Sequence, residues 1–130
     1  MKPNILLITS DQHRADCFGF EGRKIKTPHF DAMAKNGTRF SNCITPNPVC
    51  QPARASILTG LLPLSHGVYD NHVNLDPTIG EQGWAGTLAG NGYHSAFIGK
   101  GHFGDHPKCT PYGAPESRTE SANFPEDWAG

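Results

Sequence analysis

The sequence has little charge of either sign and no long apolar run. Lysine and arginine number 11, and aspartate and glutamate 12, among 130 residues, so the net charge at pH 7 is -1. The basic residues are scattered, and no patch or arm favours nucleic acid or an anionic membrane as a partner. The apolar stretch 5–8 is too short for the core of a secretory leader or for a membrane span. We therefore expect a cytoplasmic protein with neither of those partners.

Cysteine is also scarce, and its spacing excludes two kinds of site. The chain has four cysteines but no Cys-x-x-Cys pair, and nothing in the sequence indicates export, so we expect reduced thiols rather than disulfides. The histidines have no zinc-site spacing, and we expect His66 to pack rather than to catalyse. The cysteines are Cys17, Cys43, Cys50 and Cys109.

The order of apolar and turn-forming segments predicts an α/β fold. Apolar residues make up 36% of the chain, enough for one modest core. Strands alternating with helices indicate a layered fold with a largely parallel central sheet. The proline-rich segment 105–130 is predicted to be loop, so the chain resembles the N-terminal portion of a longer domain. Strands are predicted at 4–10, 38–45 and 93–98, and helices at 28–35, with Thr27 as N-cap, at 52–59 and within 80–91.

The most specific motif is Cys50-Gln51-Pro52-Ala53-Arg54, followed by Ala-Ser-Ile-Leu-Thr-Gly at 55–60. Five fixed positions within it (Cys50, Pro52, Arg54, Thr59 and Gly60) coincide by composition alone with odds on the order of one in ten thousand or less. Pro52 suits the first turn of a helix, whose free N–H groups and positive dipole end favour an anion beside Cys50. Arg54 adds a fixed positive charge there.

These residues resemble the maturation signature of the sulfatase family. The resemblance implies an alkaline-phosphatase-like fold, of which residues 1–104 form the N-terminal part of the catalytic domain. It also implies that a formylglycine-generating enzyme oxidises Cys50 to Cα-formylglycine, whose hydrate attacks a small-molecule sulfate ester through one hydroxyl and expels sulfate through the other.

The resemblance extends to a divalent-cation site at the end of the first predicted strand. Asp11 by itself is typical of a turn or cap residue. Beside Cys50 the resemblance implies that it is a cation ligand, with Gln12 and residue 50 as further ligands. Calcium is the expected ion, with magnesium and manganese as alternatives. Many members have a second aspartate where this chain has Gln12, a pattern similar to the phosphonate monoester hydrolase branch.

Two further segments resemble family motifs. Lys100 and His102, two apart in a stretch expected to be extended, are predicted to share one face. The resemblance implies that Lys100 binds sulfate oxygens and that His102 accepts a proton during sulfate release. Asn71 lies where related enzymes have a polar, substrate-contacting residue, although turn chemistry with Asp70 explains it equally well.

Three functions remain open from the sequence. The first is sulfate ester hydrolysis, and the second is hydrolysis of phosphonate monoesters or phosphodiesters by the same fold. The third is a non-catalytic fragment with a binding role. This third reading is supported because we find no segment that supplies the family's later metal ligands and second lysine. We therefore expect the 130-residue chain alone to turn over little ester.

Overall fold

The structure is a computed structural model that describes residues 2–103 and the backbone of Glu116–Thr119. The chain divides into two compact units, Met1–Cys43 and Ile44–Gly130. No helix in the described part of the chain is long and apolar enough to cross a membrane.

The first unit contains one α-helix and one short 3-10 turn. Helix α1 spans Pro28–Asn36 and is followed by Gly37, which confirms the predicted helix; the 3-10 turn is Gly19–Glu21. Thr27 precedes α1 as predicted but makes no capping hydrogen bond. Its hydroxyl instead donates to Asp31 Oδ1 (2.8 Å) and accepts from the Gly19 N–H (2.8 Å). The side chain therefore ties the 3-10 turn to α1.

The predicted strands at 4–10 and 38–45 are absent from the described residues. Both segments have irregular backbone and mostly exposed side chains, with Leu6 83% and Phe40 79% exposed. A strand in a buried sheet needs a hydrogen-bonded neighbour and elements over its faces. No described segment takes those places for either stretch, so the apolar pattern alone does not make a strand here.

The second unit contains four helices among its described residues. Helix α2 spans Cys50–Thr59, beginning two residues before the predicted start, and ends at Gly60 with φ of 71°. Helix α3 is Pro63–His66. The single helix predicted within 80–91 is instead two, α4 at Pro77–Glu81 and α5 at Trp84–Gly90.

Two short strands form a parallel pair. Strand β1, Ala96–Gly99, pairs with β2, Glu116–Thr119, in a register that runs from Ala96 opposite Glu116 to Gly99 opposite Thr119. Strand β1 is shorter than the predicted 93–98. Strand β2 lies within the segment predicted as loop, and the rest of 105–130 is outside the described residues. The larger central sheet stays a prediction.

The core of the second unit joins the segments that carry the candidate site. Ala55 and Leu58 of α2 pack with Val68, Leu75, Ala85 and Phe103. Burying one leucine or valine side chain contributes roughly 1.5–3 kcal/mol. The Leu75 N–H also donates to the Phe103 carbonyl oxygen (2.9 Å). The core thus fixes α2, the loop 68–75 and the segment around Phe103 against one another.

Candidate active site

Cys50 is the first residue of α2 and is partly buried. The chain enters the helix through an extended Val49, whose N–H donates to Asn47 Oδ1 (2.7 Å). Pro52 lies in the first turn, where its missing N–H costs nothing. Cys50 therefore stands at the positive end of the helix dipole, as the sequence predicts, in a setting that favours an anion.

Cys50 is not paired in a disulfide. Cys17, Cys43 and Cys50 are all free thiols, which agrees with the expectation of reduced cysteines for these three. Cys109 lies outside the described residues.

Arg54 connects α2 to the segment that follows β1. Its Nη1 donates to the backbone oxygen of Lys100 at 2.7 Å, across 46 positions of sequence. Charge-assisted hydrogen bonds of this kind are stronger than neutral ones. The structure therefore brings together two residues that the sequence singled out separately.

The backbone around Lys100 and His102 is not extended. Strand β1 ends at Gly99, whose φ is 100°, and His102 has a φ of 56°. The prediction that Lys100 and His102 share a face rested on strand alternation, which does not apply here. Both side chains are nevertheless partly buried, and Nδ1 of His102 is fully buried. Their roles toward a substrate stay predictions.

Asn71 lies against the start of α2. The backbone N–H of Gln51, the residue after Cys50, donates to Asn71 Oδ1 at 3.2 Å. The N–H of Asn71 donates to Asp70 Oδ1 (2.8 Å), so the turn chemistry expected of Asp70 is also present. The two interpretations of Asn71 are therefore compatible, since one turn places its amide beside residue 50.

Gln51 is the residue that sequence reasoning missed. Its side chain is fully buried, at 0% exposure. Its Nε2 donates to the Val73 oxygen (2.7 Å) and its Oε1 accepts from the His72 N–H (2.8 Å). Gln51 precedes Ala55 and Leu58 at helical spacing, on the core face of α2. A polar residue at such a position needs buried partners, and that was the available signal.

His72 adopts a conformation that few non-glycine residues take. Its φ is 67°, in the left-handed region. Such a backbone costs on the order of 1–3 kcal/mol and persists only where the surroundings impose it. Here the Gln51 amide bonds the His72 N–H and the Val73 oxygen, so it holds the backbone from the peptide before His72 to the peptide after Val73.

His66 packs, as expected. It is 2% exposed at the end of α3, and its Nδ1 accepts from the Val68 N–H (3.1 Å). The proton of the neutral ring is therefore on Nε2, which donates to Ser56 Oγ (2.9 Å). Burial lowers the pKa of His66 below 6.5 because it disfavours the charged ring. In this tautomer His66 cannot accept a proton from Ser56, because Nε2 already carries one. The hydrogen bond between the two side chains instead joins α3 to α2.

Asp11 and Gln12 belong to the first unit and follow the irregular segment 2–10. Gln12 has a φ of 51°. A carboxylate and an amide oxygen are ligands that suit a hard cation. Within the described residues no group of three or more histidine, cysteine or acidic side chains is placed to hold a metal. These two residues therefore fit such an ion by chemistry and supply only part of its ligands.

Asp16, close by in sequence, is engaged differently. Arg14 Nε donates to Asp16 Oδ1 (2.9 Å), and Arg23 Nε donates to Oδ2 (2.8 Å). The hydrogen bond from Arg14, with that from Arg23, lowers the pKa of Asp16 to about 2. Its oxygens are committed to arginine, so Asp16 is a poor candidate for a cation ligand.

Comparison with known proteins identifies the family. The sulfatase family model matches residues 3–126, nearly the whole chain. The chain belongs to the sulfatase family. An ulvan-active sulfatase of Formosa agariphila is 41% identical over 106 residues, which cover 81% of this chain and 20% of that protein. An arylsulfatase of Clostridium perfringens is 46% identical over 107 residues, covering 78% and 21%.

Solved structures agree with this membership. A solved structure of a protein in complex with its substrate, D-glucosamine-2-N,6-O-disulfate, superposes with a TM-score of 0.76 at 34% identity, covering 84% of this chain and 22% of that one. The structural neighbours of this chain are sulfatases of alkaline-phosphatase-like fold, in agreement with the fold family that the sequence predicts. The chain spans about a fifth of the length of these relatives.

Proposed function

We propose that this sulfatase-family protein hydrolyses sulfate esters through a nucleophile made from Cys50. The observation that carries the proposal is the hydrogen bond from Arg54 to the backbone of Lys100, 2.7 Å long, which joins the Cys50 helix to the second family motif. The proposal covers the complete protein, of which residues 1–104 are taken as the N-terminal part of the catalytic domain.

Residues of the second unit have separate tasks. A formylglycine-generating enzyme oxidises Cys50 to formylglycine, and addition of water to the aldehyde gives a geminal diol with one hydroxyl as nucleophile and a second for release of the product. The first turn of α2 and the Arg54 guanidinium favour a sulfate group beside residue 50. Lys100 binds a sulfate oxygen, Asn71 donates to the ester through its amide, and His102 accepts a proton at the release step.

A divalent cation completes the proposed site. Asp11 and Gln12 offer oxygen ligands, which suit calcium first and magnesium or manganese as alternatives. A cation held there would supply Lewis-acid polarisation of a sulfate oxygen. The remaining ligands belong to other parts of the protein, so we expect the 130-residue chain alone to turn over little ester.

Sulfated sugars are the substrate class to test first. One matched relative is named for activity on ulvan, and one solved relative holds a disulfated glucosamine. These names support a small sulfated carbohydrate as the substrate here. A cytoplasmic location, where the maturation enzyme would also act, is part of the proposal.

The test is a pair of rates measured on the complete protein. We expect an aryl sulfate to be hydrolysed faster than the matching phosphonate monoester, and Cys50→Ala to abolish turnover. Cys43→Ala is the matched control, because Cys43 is an exposed free thiol. Undiminished turnover in Cys50→Ala would refute the proposed nucleophile, and a faster phosphonate rate would favour the alternative activity.

A further inference from the structure

Gln51 occupies the variable position of the Cys-x-Pro-x-Arg motif, yet it has the most constrained side chain near Cys50. It is fully buried, and both ends of its amide are used. A side chain needed only to fill space would not be polar, because a buried amide must find partners for its donors and its acceptor. Here both partners of the amide belong to the single segment 71–73.

The three contacts hold this segment at the start of α2. The side chain of Gln51 bonds the Val73 oxygen at 2.7 Å and the His72 N–H at 2.8 Å. Its backbone N–H bonds Asn71 Oδ1 at 3.2 Å. One residue therefore fixes three consecutive positions of a loop that lies about 20 residues further along the chain.

The contact with Asn71 also sets the direction of its amide. Because Oδ1 accepts from the Gln51 N–H, the Nδ2 group points away from that N–H and is the end that presents donors. The loop is itself held in an uncommon conformation at His72, where φ is 67°. Without the Gln51 amide the backbone would be free to relax out of that region.

We propose that Gln51 is a positioning residue, which clamps the segment 71–73 so that the Asn71 amide faces the ester group bound at residue 50. The inference deepens the proposed function and rests on it. It assigns a role to Gln51, which lies between the modified cysteine and Pro52: its side chain fixes the conformation of the segment 71–73 that faces the substrate. Gln51 itself touches neither the substrate nor the nucleophile.

The first test uses Gln51→Met in the complete protein, with Ser56→Ala as the matched control. Methionine keeps the length of the side chain and removes both hydrogen bonds that the Gln51 amide makes. Ser56→Ala also removes one hydrogen bond of α2, to His66, at a site that does not touch the 71–73 segment. Rates on an aryl sulfate are divided by the aldehyde content at residue 50, so that a change in maturation is not read as a change in catalysis.

We expect kcat/KM to fall about tenfold to a hundredfold in Gln51→Met, the loss typical of a misplaced reacting group, and to stay near wild type in Ser56→Ala. The loss should be strongly non-additive with that of Asn71→Ala, because Gln51→Met acts by misplacing the Asn71 amide and Asn71→Ala removes that amide. Normal turnover in Gln51→Met, or a loss that adds in full to that of Asn71→Ala, would overturn the proposal.

A conservative variant gives a pH readout. In Gln51→Glu the protonated carboxyl reproduces both contacts, since its O–H donates to Val73 and its C=O accepts from His72. Once ionised it can no longer donate. Activity relative to wild type should therefore fall as pH rises, with a midpoint above the usual carboxyl range because the site is buried. A constant ratio at all pH values would contradict the clamp.

Hydrogen exchange separates the clamp from the proposed function. Peptides covering residues 70–75 should exchange roughly tenfold faster or more in Gln51→Met than in wild type or Ser56→Ala. This measurement needs no turnover. If the wild type carries no aldehyde and hydrolyses no sulfate, the proposed function fails while exchange still decides the clamp; unchanged exchange would refute the clamp even in an active sulfatase.

Discussion

Arg54 Nη1 and the Lys100 backbone oxygen lie 2.7 Å apart, so the helix that begins with Cys50 is bonded directly to the segment after β1. The contact uses one donor of a guanidinium that carries several. It makes Arg54 both a fixed charge beside residue 50 and a structural tie. Lysine would keep the charge but lacks the planar fork.

The first prediction concerns that tie. Arg54→Lys should lower kcat/KM for an aryl sulfate by about a hundredfold, because it moves a preorganised donor and loosens the Lys100 segment. Arg39→Lys is the matched control, since Arg39 is 44% exposed and pairs with Glu21 in the first unit. An equal loss in both variants would show that the effect is not specific to Arg54.

The second prediction is a pH dependence of stability from His66. Burial lowers its pKa in the folded protein below 6.5, so the unfolded state binds the proton more readily. The contribution of the neutral ring is then complete above about pH 6.5 and is lost as pH falls toward the folded pKa. Urea unfolding at several pH values should show this fall in wild type.

His66→Gln is the control for that pH series. Its amide is able to donate to Ser56 as Nε2 does, but it does not titrate. The difference in the free energy of unfolding between the two proteins should shrink as pH is lowered through 6. A difference that is independent of pH would mean that His66 titrates alike in the folded and unfolded states.

The third prediction compares two glycines of α5. A Cβ on Gly86 would lie 2.0 Å from the Glu81 oxygen, whereas a Cβ on Gly90 would meet nothing within 4 Å. We expect Gly86→Ala to destabilise the protein by roughly 1–3 kcal/mol, the usual cost of overpacking. Gly90→Ala should be neutral or stabilising by up to about 1 kcal/mol. Thermal unfolding of both variants checks this, and equal effects would contradict the close approach.

The fourth prediction concerns the cation. Chelation should abolish ester hydrolysis and added calcium or magnesium should restore it. Asp11→Asn should raise the metal concentration needed for restoration, because an amide is a weaker ligand than a carboxylate for a hard ion. Asp16→Asn should not, since Asp16 is bound by Arg14 and Arg23. If Asp16→Asn alone raised the metal concentration needed for restoration, Asp11 would be excluded as the ligand.

Helices α1 and α2 were predictable from local signals, and the strands less so. Proline at the start and glycine at the end define α1 and α2, and these signals act within the segment itself. The segments 4–10 and 38–45 have the apolar pattern of strands, but pairing depends on neighbours that local sequence does not specify. Only the last of the three predicted strands, seen as Ala96–Gly99, has a partner among the described residues.

The region 80–91 was predicted to hold one helix and is divided between α4 and α5. Gly83 and Gly86 weaken a helix by propensity, yet each stands where backbone approaches within a distance that excludes a side chain. The chain consequently turns between α4 and α5 instead of forming one helix. Helix propensity measures the cost of a glycine in the helix and does not include the close packing that requires one.

In the candidate site, too, some residues were predictable from the sequence and others became evident only in the folded chain. Family motifs identified Cys50, Arg54 and Lys100, and the structure joins the last two. The role of Gln51 was hidden, because its partners lie in the segment 71–73 and are adjacent only after folding. Signatures mark residues that perform chemistry more readily than residues that hold them in place.

The central claim is that residue 50 is converted to an aldehyde, and peptide mass mapping of the protein from its native host tests it most directly. The account predicts that the peptide containing residue 50 is lighter by about 18 Da than its cysteine form, the change from a thiol side chain to the aldehyde required for the nucleophile. An unmodified thiol at Cys50 in the native protein would contradict it.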